Sequence, residues 1–334
     1  MDDFPLVTIG IPTVSRLSYL REAVRSALGQ TYPRLEIVIN QNHGEKGLDK
    51  DLAEWAQEQA ATYSNVRYFA GKKRLSIYGN FNATADRAQG KYLAFLADDD
   101  RFLPTFISEL VDAIESHNAN IAFSNQWIID DSGVRLQPAT GRFTRFYGRD
   151  QLLPGLQRNA VRCVWQNSVP IAASLLRTAD AVRLRFREDA NTGDLEFNAR
   201  LAAAGGQYVF VPNFLAEYRT HPESETSSKG LDFEKLADYL SDIPVPLDCK
   251  NLKRRTLEKL VCAVAKQRLL CGDVKQAREL FSHKYYPRFT SLYECGDFRC
   301  WMRGAAQRML ARLPGNTCAK MMAGYEKCRR IFAA

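Results

Sequence analysis

The 334-residue chain predicts an α/β protein with a mostly parallel sheet, helices on both faces of that sheet, and a helical C-terminal region. Short β-branched apolar runs alternate with amphipathic stretches over the first two-thirds of the sequence. Such alternation is typical of parallel strands joined by crossover helices. From about residue 230 onward the pattern is helical throughout. We therefore expect two domains, 1–228 and 229–334.

Apolar runs that end at turn residues predict the first four strands. The spacing of apolar residues between them predicts three helices. Ser18 is the expected N-cap of the first helix, and Gly90 is the expected C-terminal cap of the third. The predicted strands are 6–12, 35–40, 66–70 and 91–97, and the predicted helices are 18–30, 49–63 and 80–90.

The later elements are predicted in the same way. Pro104 falls near the first turn of the next helix, a position that proline tolerates. Gly272 is the expected hinge of a helical hairpin in the C-terminal region. The predicted segments are a helix at 104–118, a strand at 119–131, a strand leading into a helix at 168–177, a helix at 193–205, a strand within 207–219 and the hairpin at 257–281.

Charge and cysteine are both concentrated in the C-terminal region. The net charge is +8, yet residues 250–334 hold 19 Lys and Arg against 6 Asp and Glu. Six of the eight cysteines lie there, and without any Cys-x-x-Cys pair a zinc site is not expected. Reduced thiols in a cytoplasmic protein are the better interpretation.

No apolar run reaches the roughly 18 residues of a transmembrane helix, and the acidic start does not resemble a secretory signal.

Three consecutive aspartates, Asp98, Asp99 and Asp100, follow the fourth predicted strand. One interpretation is a solvated turn, which aspartate favours. The other is a site for a hard cation, because carboxylate oxygens suit Mg²⁺ or Mn²⁺ bound together with substrate phosphates. If the strand geometry continued, Asp98 and Asp100 would point to one side and Asp99 elsewhere. Ligands bind beyond the carboxyl ends of such strands, where the triplet lies.

The order of "VTIGIPTVSR", "YLREAVRSALGQTYPRLEIVI" and "NFNATADRAQGKYLAFLADDD" resembles the nucleotide-sugar domain of family 2 glycosyltransferases. The resemblance covers roughly residues 5–225 and implies the Rossmann-like GT-A fold. It also implies that the triplet is the family's Asp-x-Asp element. Asp100 would then bind Mg²⁺ or Mn²⁺, and Asp98 would contact the nucleotide ribose or share the metal. Asp99 is counted with the nucleotide-sugar-binding residues.

Two later segments match the same family. "GDLEFNARLAAAG" resembles the short helix that supplies the catalytic base, which assigns that role to Asp194 and makes Glu196 the second candidate. The alternative for Asp194 is a surface carboxylate favoured by the helix dipole. "YRTHPES" resembles the family's Tyr-Arg-x-His segment, which implies that His221 reaches the metal or the diphosphate.

The rest of the predicted nucleotide-sugar pocket includes departures from the family pattern. Pro12, Thr13, Ser15 and Arg16 lie at the end of the first strand and are expected to line the pocket. The second strand ends in Gln41 and Asn42 where many members carry an acidic pair, and an amide can still hydrogen-bond a pyrimidine edge. Asn80 is kept in the loop and helix that follow. Arg74 stands where Asn is usual, and it is expected either to contact a phosphate or an acidic sugar or to be an ordinary surface arginine.

The resemblance implies inverting transfer of a sugar from a nucleotide-diphosphate sugar to an acceptor hydroxyl, in surface-polysaccharide or glycolipid biosynthesis. The predicted enzyme is a metal-dependent transferase of the hexosyltransferase type. The competing hypothesis is a catalytically degenerate domain that uses its basic tail to bind a polyanion or a protein partner. Nucleic acid is not expected as a partner, because the chain has no recognised nucleic-acid-binding motif.

The basic tail has two further interpretations. Residues 300–313 place apolar side chains near one side and arginines elsewhere, as in a helix that lies on an anionic membrane surface. That interpretation predicts a cytoplasmic protein docked at the inner face of the membrane. The alternative is a helix packed on the catalytic domain or on a second subunit, and a homo-oligomer is compatible with the sequence.

Overall fold

The computed structural model describes residues 4–44, 47–189, 193–221, 233–287, 298–312, 317 and 319–323, with the backbone alone at 233–234 and 298–303. The chain divides into two compact units. The first comprises Met1–Asp189 and Gly193–Ser227, and the second comprises Ala190–Thr192 and Ser228–Ala334. The domain boundary predicted at residue 228 lies outside the described residues.

The first unit contains a nine-stranded sheet. Eight strands follow the order β3-β2-β1-β4-β8-β6-β9-β5, and β7 pairs with β9. The pairings among β1 to β4 are parallel, as is the pairing of β6 with β9, whereas β5, β7 and β8 join antiparallel. The strands are β1 Val7–Thr13, β2 Leu35–Gln41, β3 Val66–Ala70, β4 Tyr92–Phe95, β5 Arg101–Phe102, β6 Ile121–Ile129, β7 Gly155–Leu156, β8 Ser174–Arg177 and β9 Tyr208–Arg219.

Helices cover both faces of the sheet, which confirms the predicted fold class. Strand β4 shows why: Tyr92 and Ala94 belong to the main apolar core, whereas Phe95 packs in an aromatic cluster with Phe81 and Phe186. Successive side chains of a strand point to opposite faces. The helices of this unit are α1 Leu17–Leu28, α2 Lys50–Thr62, α3 Ile77–Ala85, α4 Phe106–Ser116, α5 Gln137–Phe146, α6 Ala160–Trp165, α7 Thr178–Leu184 and α8 Gly193–Ala203.

Two predicted caps are wrong. Helix α1 begins at Leu17 after Arg16, so Ser18 lies inside the first turn and is not the N-cap. Helix α3 ends at Ala85 with Asp86 as its C-cap, well before Gly90. Gly90 instead permits two segments of the backbone to approach closely, because a Cβ atom there would lie 2.6 Å from the backbone nitrogen of Thr8.

The second unit is helical in its described part, as predicted. Its helices are α9 Phe233–Asp242, α10 Lys250–Leu270, α11 Val274–Leu280 and α12 Phe298–Leu310. Gly272 has a φ of +79° between α10 and α11, which confirms the predicted hinge. Among the described residues, no helix has the length and apolarity needed to cross a membrane.

Helix α12 overlaps the predicted interfacial helix at 300–313. Its Gln307 side chain donates to the carbonyl oxygen of Cys262 on α10 at 3.0 Å, and Leu310 packs in an apolar cluster with Leu269. One side of α12 is therefore buried within the second unit itself. Met309 is 65% exposed. Part of the predicted apolar stripe, from residue 300 to 303 and at 313, lies outside the described side chains.

Candidate active site

The three aspartates form a turn beyond the carboxyl end of β4. The strand ends at Phe95, and the backbone N–H of Asp100 donates to the carbonyl oxygen of Ala97 at 3.1 Å. Strand alternation therefore does not extend to the triplet, and the expectation that Asp98 and Asp100 share one side while Asp99 points elsewhere is wrong. Asp98 and Asp99 are the two carboxylates that meet a common partner.

That partner is Arg16, at the start of α1. Its Nη1 donates to Asp99 Oδ2 at 2.6 Å, and its Nη2 pairs with Asp98. The hydroxyl of Thr13, at the end of β1, donates to Asp98 Oδ2 at 2.6 Å. Two side chains from the first strand end are thus joined to the acidic turn, as their predicted place in one pocket requires.

His221 joins the same cluster from beyond the end of β9. Its Nε2 lies 3.0 Å from Asp99 Oδ2 and 3.2 Å from Arg16 Nη1, and its ring packs on Tyr19 at 5.1 Å between centroids. The structure therefore brings together residues that are more than 200 positions apart in the sequence.

Arg219 fixes the turn and was not singled out from the sequence, although it lies in the quoted Tyr-Arg-x-His segment. Its backbone N–H donates to Asp100 Oδ1 at 2.8 Å, and its Nε donates to the carbonyl oxygen of Asp99 at 2.7 Å. Its Nη2 pairs with Glu22 at 2.7 Å, and the guanidinium is wholly buried over the Tyr19 ring. Arg219 thus sets the conformation of the acidic turn.

The acidic turn is short of positive charge. Burial raises the pKa of Asp98 despite the opposing effect of Arg16, and burial together with the charge of Asp99 raises the pKa of Asp100 well above its usual range. Among the described residues, no three His, Cys, Asp or Glu side chains are arranged to hold a metal ion on their own. The carboxylate and imidazole donors nevertheless fit Mg²⁺ or Mn²⁺, which bind through one or two carboxylates plus substrate phosphates.

Asp194 lies in the first turn of α8 and is half-buried. The hydroxyl of Tyr78 donates to its Oδ1 at 3.2 Å. Burial raises the pKa of Asp194, whereas hydrogen bonds from the Leu195 backbone and from Tyr78 lower it. The net rise suits a carboxylate that must accept a proton.

Glu196, the second candidate base, has contacts that fit a structural role. It is 1% exposed. Arg200 holds both of its oxygens, at 2.7 Å and 2.8 Å, and Arg187 adds a third bond at 3.2 Å. Both oxygens of Glu196 are therefore already occupied by cationic donors, and these contacts favour Asp194 as the base.

Helix α3 contacts both parts of the site. Asn80 donates to the carbonyl oxygen of Thr13 at 3.4 Å and exchanges hydrogen bonds with Asn40. Two residues earlier, Tyr78 reaches Asp194. Helix α3 is therefore bonded to Asp194 directly and to the acidic turn by way of Thr13, and Asn80 is buried.

The two amides after β2 are engaged inside the protein. Gln41 accepts from the Tyr68 hydroxyl at 2.5 Å and donates to the carbonyl oxygen of Asp49 at 2.8 Å. Asn42 donates to the carbonyl oxygen of Leu75 and accepts from its N–H, both at 2.9 Å. The described contacts of both side chains lie within the protein, and none of them presents an amide to a nucleotide base. Asn42 instead holds the loop after β3.

The remaining predicted pocket residues differ in exposure. Pro12 is buried in β1, opposite Asn40 of β2. Ser15 and Arg74 are exposed, and no ion pair of Arg74 is found among the described residues. Their predicted contacts with a nucleotide sugar stay predictions.

A family model described as glycosyl transferase family 2 matches residues 8–175, half of the chain. The chain belongs to glycosyltransferase family 2. An uncharacterized glycosyltransferase of Rickettsia felis is 30% identical over 152 residues, which are 45% of this chain and 23% of that protein. This family 2 chain therefore matches only about a quarter of the length of that relative.

Two further comparisons extend the likeness. The GalNAc(5)-diNAcBac-PP-undecaprenol beta-1,3-glucosyltransferase of Campylobacter jejuni is 25% identical over 118 residues, covering 35% of this chain and 37% of that enzyme. The mannosyltransferase PcManGT of Pyrobaculum calidifontis, solved with GDP-Man and Mn²⁺, superposes with a TM-score of 0.59 at 14% identity, over 96% of this chain and 85% of the other. At that identity the superposition shows the fold, which is the GT-A fold predicted from the sequence.

Proposed function

We propose that this family 2 chain is an inverting glycosyltransferase that moves a sugar from a nucleotide-diphosphate sugar to an acceptor hydroxyl. The observation that supports it best is that one short helix, α3, is bonded to both parts of the site. Its Asn80 contacts Thr13, which bonds to the acidic turn, and its Tyr78 contacts the half-buried Asp194. Transfer to a hydroxyl requires charge stabilisation at the leaving group and a proton acceptor at the nucleophile. The two halves of the site offer these two functions.

The acidic turn is proposed to bind the donor. Arg16 lies between Asp98 and Asp99, and its guanidinium has the geometry to hold a phosphate. Asp100 and His221 would hold Mg²⁺ or Mn²⁺, which when bound neutralises the diphosphate and favours its departure. The structure of PcManGT, the mannosyltransferase of similar fold, was solved with both a nucleotide sugar and Mn²⁺.

Asp194 is proposed as the general base that takes the proton of the acceptor hydroxyl. Its raised pKa, caused by burial, favours proton acceptance, and the hydrogen bond from Tyr78 orients Oδ1. A base so placed contributes roughly 10²–10⁴-fold to the rate. Direct attack of the hydroxyl on the anomeric carbon in one step inverts its configuration.

The acceptor is proposed to be a saccharide or lipid-linked saccharide of a surface polysaccharide or glycolipid. The Campylobacter relative carries an undecaprenol-linked glycan in its name, which supports this class of acceptor. A cytoplasmic protein docked at an anionic membrane through the C-terminal unit fits such an acceptor. Flotation with anionic and with neutral liposomes tests the docking, and equal recovery with both would contradict it.

Calorimetry and a transfer assay test the proposal. We expect UDP- or GDP-sugars to bind in the presence of Mn²⁺ and to release nucleoside diphosphate when an acceptor is added. Asp194→Asn should bind the donor as the natural chain does and lose transfer, whereas near-normal turnover of this variant would refute the assignment.

A binding protein is the second candidate function, favoured by one observation. Gln41 and Asn42 stand where many family members carry an acidic pair, and both are engaged internally. Binding of nucleotide sugars without turnover, across varied acceptors, would support this candidate.

A further inference from the structure

Arg149 lies in a short turn after α5 and is 2% exposed. Its Nε and Nη2 are both buried, and neither has a hydrogen-bond partner among the described residues. No carboxylate of the described residues pairs with its guanidinium. Buried polar groups almost always have partners, and a buried charge without one is costly. This arginine therefore calls for an explanation.

The described surroundings of the Arg149 guanidinium are aromatic. Its guanidinium lies over the rings of Phe143 and Tyr147, with Cζ 5.4 Å from each ring centroid. Burial raises the pKa of the Tyr147 hydroxyl and raises the pKa of the Cys163 thiol to about 12, so both groups are neutral at pH 7. Burial lowers the pKa of Arg149 to about 10, which leaves it charged at pH 7.

The two unpartnered nitrogens form the side of a guanidinium that binds an oxyanion through two parallel hydrogen bonds. The same pair of atoms in Arg200 holds Glu196, with Nε to Oε1 at 2.7 Å and Nη2 to Oε2 at 2.8 Å. A carboxylate of this chain binds the Nε–Nη2 side of Arg200, whereas no described residue binds that side of Arg149.

Tyr147 connects Arg149 with the proposed base. Its ring lies beneath the guanidinium, and burial, followed by the negative charge of Asp194, raises the pKa of its hydroxyl. Gly148, which separates Tyr147 from Arg149 in the sequence, has a φ of +64°, and a Cβ atom there would meet nothing closer than Ser168 Oγ at 3.9 Å. The structure therefore leaves room for a side-chain carbon at Gly148.

We propose that the Nε–Nη2 side of Arg149 is a binding site for an oxyanion, a carboxylate or phosphate carried by the acceptor saccharide. The site deepens the proposed function and rests on it for the identity of the ligand as an acceptor. Departures from local rules, such as a buried unpaired charge, are expected at functional sites. The acceptor is accordingly an acidic glycan.

Thermal unfolding of the full chain in EDTA tests the site without donor, metal or transfer. The probes are inorganic phosphate and D-glucuronate, with chloride at matched ionic strength and D-glucose as controls. We expect phosphate, glucuronate or both to raise the unfolding midpoint saturably, which also tells which oxyanion the site prefers. Arg149→Met should abolish the rise, and Arg145→Met, an exposed arginine of α5, should keep it.

The stability of the variants without probe separates ligand binding from a structural role. Arg149→Met should unfold at the same temperature as the natural chain or higher, because it removes a buried charge that has no partner. A lower unfolding midpoint of Arg149→Met would show that the guanidinium itself supports the fold. An equal rise of the midpoint with phosphate in the natural chain and in Arg149→Met would place binding elsewhere. Either result overturns the proposal. Arg149→Lys, which keeps the charge without the paired Nε and Nη2 donors, should bind at least tenfold more weakly.

The oxyanion site and the proposed transferase function can fail independently of each other. An Arg149-dependent midpoint shift in a chain that never transfers sugar would overturn the transferase proposal and leave the anion site standing. Transfer to acidic acceptors at an unchanged KM in Arg149→Met would overturn the anion site alone.

Discussion

Glu196→Gln separates the structural carboxylate of α8 from the proposed base. Glu196 is 1% exposed and accepts three charge-assisted bonds. Breaking a buried ion pair costs roughly 3–5 kcal/mol. The side chains of Arg200 and Arg187 are 25% and 44% exposed, so water replaces part of the loss, and the amide oxygen still accepts one bond. We expect a decrease of about 2–3 kcal/mol in the free energy of unfolding.

At roughly 2–4 °C per kcal/mol for a domain of this size, the unfolding midpoint should fall by about 4–12 °C. The matched control is Asp194→Asn. Because burial raises the pKa of Asp194 in the folded state, ionisation of this carboxyl at neutral pH opposes folding, and the amide should leave the midpoint unchanged or higher. Its kcat should fall about 10²–10⁴-fold.

Differential scanning calorimetry and a nucleotide-release assay on both variants give the answer. An unchanged midpoint with a 10³-fold loss of kcat in Glu196→Gln, together with normal turnover in Asp194→Asn, would exchange the two roles and refute the reasoning.

Three further predictions concern the residues around the site. Tyr78→Phe removes a hydrogen bond that lowers the pKa of Asp194, so the acid limb of the kcat/KM profile should move to higher pH; an unmoved limb would contradict the contact. Gln41→Glu loses the bond to the Asp49 carbonyl and should lower the free energy of unfolding in urea by about 1–3 kcal/mol. It should not improve the affinity for the sugar donor, and tighter donor binding would restore Gln41 as a contact to the nucleotide base. Arg219→Gln should cost about 2–4 kcal/mol and weaken donor binding in calorimetry, since the Asp99 carbonyl loses its donor; normal donor affinity would argue against its positioning role.

The strands and most helices could be predicted because burial on both faces of a parallel sheet leaves continuous apolar runs in the sequence. Helix ends were harder to predict. Ser18 has the chemistry of a cap, but α1 begins one residue earlier. Gly90 has the composition of a helix end, but its small size serves a contact with Thr8, a neighbour 82 residues away.

The candidate site was predictable to the extent that its residues share a motif. Asp98, Asp99, Arg16 and His221 meet in one cluster. The engagement of Gln41 depends on Tyr68, which no local spacing reveals. Arg149 has no distinguishing pattern, since a buried arginine and a surface arginine look alike in a sequence.

Arg219 has a consequence for how the protein is made. Its bonds to the acidic turn span about 120 residues, and its pair with Glu22 spans 197. Contacts so distant in sequence close late, because the intervening chain must first be synthesised and ordered. The family-matched stretch ends at residue 175, so a nascent chain of that length lacks the strand that fixes the turn. We expect such a fragment not to retain the donor, and competence to bind it to arise only once β9 has entered the sheet.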